Sequence, residues 1–332
     1  MKRLILRLSP EWSVVGVLLV IALVLSEIIN APIRLPSAIA LLFIGLTYLL
    51  PFIFIGIWIL LPLPFLIYRG EFKAAVRLAF EQAGCAVCLC AVMLLQFHIK
   101  LWAPLINPQS YDHFYEAIDR TCFFWLNPLF AWRGQLHNDV VDHLYFNLFM
   151  VMFVLSFIVH YLRGGGEFRR VFLASILVQA FGGISYLVAP ALGPFIYHDG
   201  VNAHVTSVQM HLLSIHQDLV AGGTTWLREH TSENLAAGLA AMPSLHVASS
   251  FVFLYYAQRY CTWLACVYWP IFVWIVFEAM ASRWHYGIDL LIGLALSCGC
   301  ILLANRWMDA HEAAREPKAA ELVENDGVVQ QA

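Results

Sequence analysis

The chain has 332 residues, of which 61% are hydrophobic and 12% charged, with a formal net charge of −3. A soluble domain carries roughly a quarter charged residues, so this composition, with a mean hydropathy of +0.73, excludes an ordinary water-soluble globule. No basic patch marks a nucleic-acid surface, and the expected fold is an all-α, polytopic membrane helical bundle.

The opening stretch, MKRLILRLSPEWSVVGVLLVIALVLSEIIN, has a basic start and an apolar core from about Val14 to Ile29. It lacks a small-x-small cleavage pattern and reads as a retained first helix. Further apolar segments lie near 38–67, 80–98, 140–162, 171–190, 243–260, 263–281 and 286–305. About 20 helical residues cross a bilayer, so the segment 38–67 is either one crossing kinked at Pro51 or a helix pair. Charge decides between them. As a single crossing it leaves 13 of the 19 basic residues inside, among them Lys2, Arg3, Arg7, Arg69, Arg163, Arg169, Arg170, Arg315 and Lys318. Only Arg34, Lys100, Arg120, Arg133, Arg228 and Arg283 then face outward. A helix pair would turn RGGGEFRR (163–170) outward, against the tendency of basic residues to stay inside. The expectation is about eight crossings with both termini cytoplasmic.

Two long stretches then face outward, on the periplasmic or lumenal side. Residues 99–139, rich in aromatics, read as helices lying along the headgroups. Residues 191–242 include VTSVQMHLLSIHQDLV (205–220), whose apolar spacing predicts a short amphipathic lid. The Ala/Glu-rich tail from 309 has no apolar face and is expected to lack fixed structure. The resulting division is 1–139 for the N-terminal helices and outer loop, 140–305 for a catalytic membrane domain, and 306–332 for a cytoplasmic tail. Of eight cysteines, Cys85, Cys88, Cys90, Cys298 and Cys300 sit inside apolar helices, where cysteine serves as a small hydrophobe. The loop histidines His198, His204, His211, His216 and His230 show no familiar ligand spacing, and no metal or other cofactor is expected. Asp139, Asp142 and His143 open the fourth crossing as helix-start groups within reach of an acceptor headgroup, and Glu278 reads as an interfacial charge.

Two stretches carry chemistry: AMPSLHVASS (241–250) and SRWHYGIDLLIG (282–293). Pro243 suits the first turn of a helix, where its missing N–H costs nothing. Ser244 and His246 then share that turn, beside free backbone N–H groups that favour an anion. His285 and Asp289 are four apart and share a helix face. A carboxylate there can accept the imidazole N–H and set its tautomer. Arg283, two residues earlier, is a fork-shaped phosphate ligand. Either histidine alone reads as an ordinary interfacial residue. Together, each opening a crossing on one side, they describe a phosphoryl-transfer site.

These residues resemble the type 2 phosphatidic acid phosphatase superfamily, through PSLH (243–246) and HYGID (285–289). The form is most similar to the branch that includes inositol phosphorylceramide synthases and related lipid phosphotransferases. The resemblance spans roughly 140–305. It implies a helical-bundle enzyme that works without a metal, through a phosphohistidine. By position His285 would be the nucleophile, Asp289 its orienting partner, His246 the acid for the leaving group, and Ser244 a phosphate ligand. Two features depart from the pattern. The superfamily's first motif, Lys followed by Arg-Pro, is absent, and YLVAPALGPF (186–195) stands in its place. The arginine expected six residues before the nucleophile is Ala279, which leaves Arg283, Arg228 or Arg120 to complete the phosphate site. The implied substrate is a phospholipid or isoprenyl phosphate, with water, an alcohol or a lipid as acceptor. A non-catalytic lipid-binding or transport protein of the same fold is the alternative, which would need no His-x-x-x-Asp pair and would be supported by an inverted repeat that the sequence lacks. Oligomeric state has no signature.

Overall fold

The computed structural model describes residues 9–61, 68–136 and 139–314. Among them there are helices and no strands. The basic residues Lys2, Arg3, Arg7, Arg315 and Lys318, the segment around Pro62 and Pro64, and the tail beyond Ala314 lie outside the described residues.

Helix α1 (Pro10–Ile29) opens with proline in its first turn and stops at Asn30, whose φ of 52° is left-handed. Val14, Leu18 and Ala22, spaced at i+4, are buried, while Val17, Val20 and Leu23 on the opposite side are exposed. That is the pattern of a helix between protein and lipid. Helix α2 (Ala38–Leu60) contains Pro51 and ends at Leu60. Helix α3 (Phe72–Ile106) has 35 residues, about 50 Å of helix against a hydrocarbon layer of about 30 Å. It runs past the expected end near residue 98 and carries Lys100 on a helix, not in a loop. Two short helices follow, α4 (Asp112–Cys122) and α5 (Asn127–Gly134), in the stretch read as interfacial.

The remainder comprises α6 (Asp139–Arg163), α7 (Gly165–Ser185), α8 (Ala203–Asn234), α9 (Leu245–Tyr260), α10 (Thr262–Ala281) and α11 (Gly287–Ala313). Among the described residues six helices, α1, α3, α6, α7, α10 and α11, are long and apolar enough to cross a membrane. The other two expected crossings fall on α2 and on α9, which has 16 residues. The protein is an integral membrane helical bundle. The expected short lid at 205–220 is part of α8, a 32-residue helix interrupted at Gly223. Its start is set by Asn202, whose Oδ1 accepts the Val205 N–H at 2.9 Å. Helix α11 runs on to Ala313, where Asp309 and Glu312 pair with Arg170 of α7 at 2.7 and 2.8 Å.

Helix α9 is the axis of the bundle. Val247, Ala248, Val252, Phe253, Leu254 and Tyr256 are buried around its circumference, and α6, α7, α10 and α11 pack against it. Such an all-round apolar helix is stable only inside a shell of others. Helix α3 packs on α1, α2 and α7, bringing the N-terminal helices to the same core.

Candidate active site

The two motifs meet at one end of the bundle. Helix α9 begins at Leu245, so Pro243 lies before the first turn and Ser244 is the N-cap, with extended backbone (φ −72°, ψ 105°). The Ser244 N–H donates to the Asp289 carbonyl at 3.1 Å. The Ser244 carbonyl stands where a Cβ at residue 293 would come within 2.7 Å, so only glycine lets α11 approach this closely. The loop 190–195 braces both motifs. Ala191 accepts the Ala241 N–H at 2.8 Å, and Phe195 donates to the Arg283 carbonyl at 3.1 Å. Gly193 (φ 126°) faces the Trp284 carbonyl, which a Cβ would meet at 2.8 Å. The unusual APALGP segment is therefore the wedge between the PSLH and HYGID segments.

The Nδ1 of His285 lies 2.9 Å from the Ala241 carbonyl and 3.5 Å from Asp289 Oδ2. A carbonyl only accepts, so Nδ1 carries the proton and the Nε2 lone pair is left available. The sequence assigns that orienting role to Asp289. In the structure the shorter contact belongs to Ala241, and the fully buried carboxylate adds a nearby negative charge. Asp289 Oδ2 also accepts the Tyr286 N–H at 2.9 Å, while Oδ1 finds no hydrogen-bond partner among the described groups. The ring of His246 is held edge-on by Phe149 and Tyr145, with centroids 4.7 and 5.2 Å away.

His246 and His285 line one cavity of about 410 Å³ together with Lys100, Tyr145, Trp284 and Gln96. Its volume suits a small ligand or the head of a larger one. Lys100 Nζ lies 5.5 Å from the Tyr186 ring centroid and is the cation facing the two histidines. Sequence reasoning counted Lys100 only as an outer charge. The signal that could have found it is a lysine continuing the apolar helix QFHIKLWAPLI, since an ionisable residue inside such a run usually serves a site. Asp142, His143 and His204 line the same cavity, with the two imidazoles 5.8 Å apart.

The arginines named from the sequence sit elsewhere. Arg283, at φ 63°, lays its guanidinium 5.0 Å from the centroid of the Phe130 ring. Arg228 donates to the Asn30 carbonyl and Oδ1 at 2.9 and 2.7 Å, capping the end of α1. Arg120 pairs with Glu116 at 2.7 Å. None of the three lines the cavity. Ser244 is fully buried with its Oγ unpartnered among the described groups, and it too lies behind the cavity wall. Glu278, expected at an interface, is 2% exposed and held by both Nε and Nη2 of Arg133 at 2.7 and 2.8 Å. Arg133 Nη2 also reaches Asp142 at 2.9 Å. Among the described residues, no group of three or more His, Cys, Asp or Glu is arranged to hold a metal ion.

Helix α4 supports the segment that follows His285. Asp112, 1% exposed, accepts the N–H groups of Leu192 and Gly193 and the Tyr286 hydroxyl, each near 2.9 Å. One turn-pair later Asp119 accepts the Gly287 N–H at 2.9 Å, at the N-terminus of α11. Burial, with Asp289 and Glu116 nearby, pushes the Asp119 carboxyl up to about 7, against the pull of the Gly287 N–H and Arg283. At Glu116 burial raises the pKa, but the bonds from His198 and Arg120 outweigh it and hold the carboxyl below its usual value.

No curated protein and no solved structure matches the chain. A family model described as the PAP2 superfamily matches residues 115–303, a span that takes in all but the first three residues of α4, the wedge loop and both histidine motifs. With more than half of its length accounted for in this way, and with the two motifs joined at one cavity, the chain belongs to the PAP2 superfamily.

Proposed function

We infer from membership in the PAP2 superfamily a lipid phosphatase-type function in a membrane. We propose that the protein is a lipid phosphoesterase or phosphotransferase that forms a phosphohistidine on His285, with its site at the outer face of the membrane and both termini cytoplasmic. The carrying observation is the 2.9 Å contact of His285 Nδ1 with the Ala241 carbonyl, which assigns the proton to Nδ1 and leaves the Nε2 lone pair to a residue that lines one cavity with His246 and Lys100.

In the first step Nε2 of His285 attacks phosphorus and the bond from phosphorus to the lipid oxygen breaks. His246 gives that oxygen its proton, and the phosphate charge beside it favours the imidazolium form it needs. Asp289 stabilises the positive charge that develops on His285. Lys100 neutralises the phosphoryl oxygens. In the second step His246 takes a proton from water or an alcohol, whose oxygen attacks phosphorus and frees His285. Water gives phosphate; an alcohol gives a new phosphoester, as in an inositolphosphotransferase-like headgroup transfer. The missing first motif and the wedge APALGP favour the transfer branch.

The test offers purified protein phosphatidate, an isoprenyl pyrophosphate and phosphatidylinositol, following free phosphate and new phospholipid. His285→Ala is expected to abolish turnover. Lys100→Met is expected to weaken vanadate inhibition about tenfold or more, the scale of a lost charge-assisted hydrogen bond. Turnover that persists in His285→Ala would overturn the reading.

A further inference from the structure

The cavity changes character with depth. Gln96 stands four residues before Lys100 on α3, so the two share a face with Gln96 about one turn, or 5.4 Å, further into the bundle. Ser249 follows His246 by three residues on α9, again one turn deeper. Gln179 of α7 donates to Ser249 Oγ at 3.1 Å. It lies one turn from Gly183, against which the Gln96 side chain packs so closely that a Cβ would meet its Cγ at 3.0 Å. Gln96, Gln179 and Ser249 all line the cavity, and one turn deeper its lining includes Met93, Phe153 and Phe253, with Ser175 there spending its hydroxyl on the Val171 carbonyl at 2.8 Å.

Gln96 is 2% exposed, and its Oε1 finds no hydrogen-bond partner among the described groups. The Tyr145 hydroxyl, also on the cavity wall, is in the same position. A buried amide without its partner is costly, and polar side chains kept at such a depth in an apolar bundle usually serve a ligand. A plain hydrocarbon chain descending from the phosphate would leave both groups dry. A chain that begins with hydroxyl or ester groups would satisfy them and then reach the apolar floor. The layers thus run cation and histidines, hydrogen-bonding groups, aromatic floor. That is the order of groups along a lipid phosphoester with a hydroxylated backbone.

We propose that the cavity selects lipid phosphoesters whose alcohol part carries hydrogen-bonding groups, a free hydroxyl above all, within one helical turn of the phosphorus, over unfunctionalised polyprenyl phosphates. Gln96 reads that hydroxyl. The inference rests on the phosphoryl-transfer reading above. Helix α3 ends before residue 115, so Gln96 lies outside the stretch that matches the superfamily.

The experiment compares a monoacylglycerol phosphate with farnesyl phosphate, using the full-length protein and its Gln96→Met variant. The native protein is expected to favour the monoacylglycerol phosphate. Gln96→Met is expected to raise its KM about tenfold with kcat nearly unchanged, the scale of one lost hydrogen bond, while farnesyl phosphate turnover is retained or rises, because its chain no longer strands the amide. Retained farnesyl turnover also shows that the variant folds. A native preference for farnesyl phosphate, or an equal loss on both substrates, would overturn the proposal. Binding of each lipid to His285→Ala, read from the protein's tryptophan fluorescence with and without Gln96→Met, keeps the two readings apart. Absent turnover by the native protein sinks the phosphoryl-transfer reading, whereas equal binding of both lipids sinks the selectivity.

Discussion

His285 has two groups near Nδ1, and they do different work. The Ala241 carbonyl at 2.9 Å fixes the tautomer, and Asp289 at 3.5 Å supplies charge. Where a carboxylate alone sets the tautomer, its amide replacement costs about 10⁴-fold in kcat. Here the backbone carbonyl remains after Asp289→Asn, so Nε2 stays available for attack and only charge stabilisation is lost. The expected fall in kcat is about 10²-fold, the scale of removing one electrostatic contact to the reacting groups, with KM nearly unchanged. Steady-state rates and the yield of trapped phosphohistidine check this. A loss as complete as that of His285→Ala would show that Asp289, not Ala241, holds the ring.

Helix α4 places two carboxylates on the segment that follows His285, Asp112 on the Tyr286 hydroxyl and Asp119 on the Gly287 N–H. Glu116 and Arg120 of the same helix, with Arg283 and Asp289 opposite, are the charged groups around Asp119. Its carboxyl titrates near 7 when folded, against a usual value of 3.8. Between those values the folded state binds more protons than the unfolded chain, so Asp119 supports folding below about pH 4 and that support is lost as pH rises through 7. Asp119→Asn has no such titration. Its thermal midpoint relative to the native protein is therefore expected to rise between pH 5 and pH 8 (about the window of the raised carboxyl); a difference that stays flat across it would contradict the assignment. The aromatic stretch 99–139 predicts helices, and α4 and α5 are found there, because composition and local spacing carry that information. It did not announce that Asp112 and Asp119 point inward. Their partners are 174 and 168 residues away in sequence, and no local period encodes a contact of that span.

At the scale of the molecule the same division holds. The apolar runs made the helical bundle legible, since lipid-facing length and hydropathy act locally, and the paired motifs marked where His246 and His285 would lie. Which charges face inward was hidden. Lys100 passed for a surface cation, while Arg133 and Glu278 passed for ordinary interfacial charges. Arg133 is 1% exposed, Glu278 is 2% exposed, and Asp142 completes the cluster while Asn202 donates to its second oxygen at 2.6 Å. This cluster joins α5, α6 and α10 and holds the start of α8, whose His204 and Val205 line the cavity with Asp142. Removing one member of a buried ion pair typically costs about 3–5 kcal/mol, because the partner charge is left without compensation. Arg133→Met strands two carboxylates, so a loss at the upper end of that range is expected in the unfolding free energy from denaturant titration in detergent. The triple replacement Arg133→Met, Glu278→Leu, Asp142→Asn removes the charges together and is expected to recover most of the loss, since a well-packed apolar substitute often matches a buried ion pair. If the single change is as mild as an exposed pair's, roughly 1 kcal/mol or less, the cluster does not hold the outer helices on the bundle.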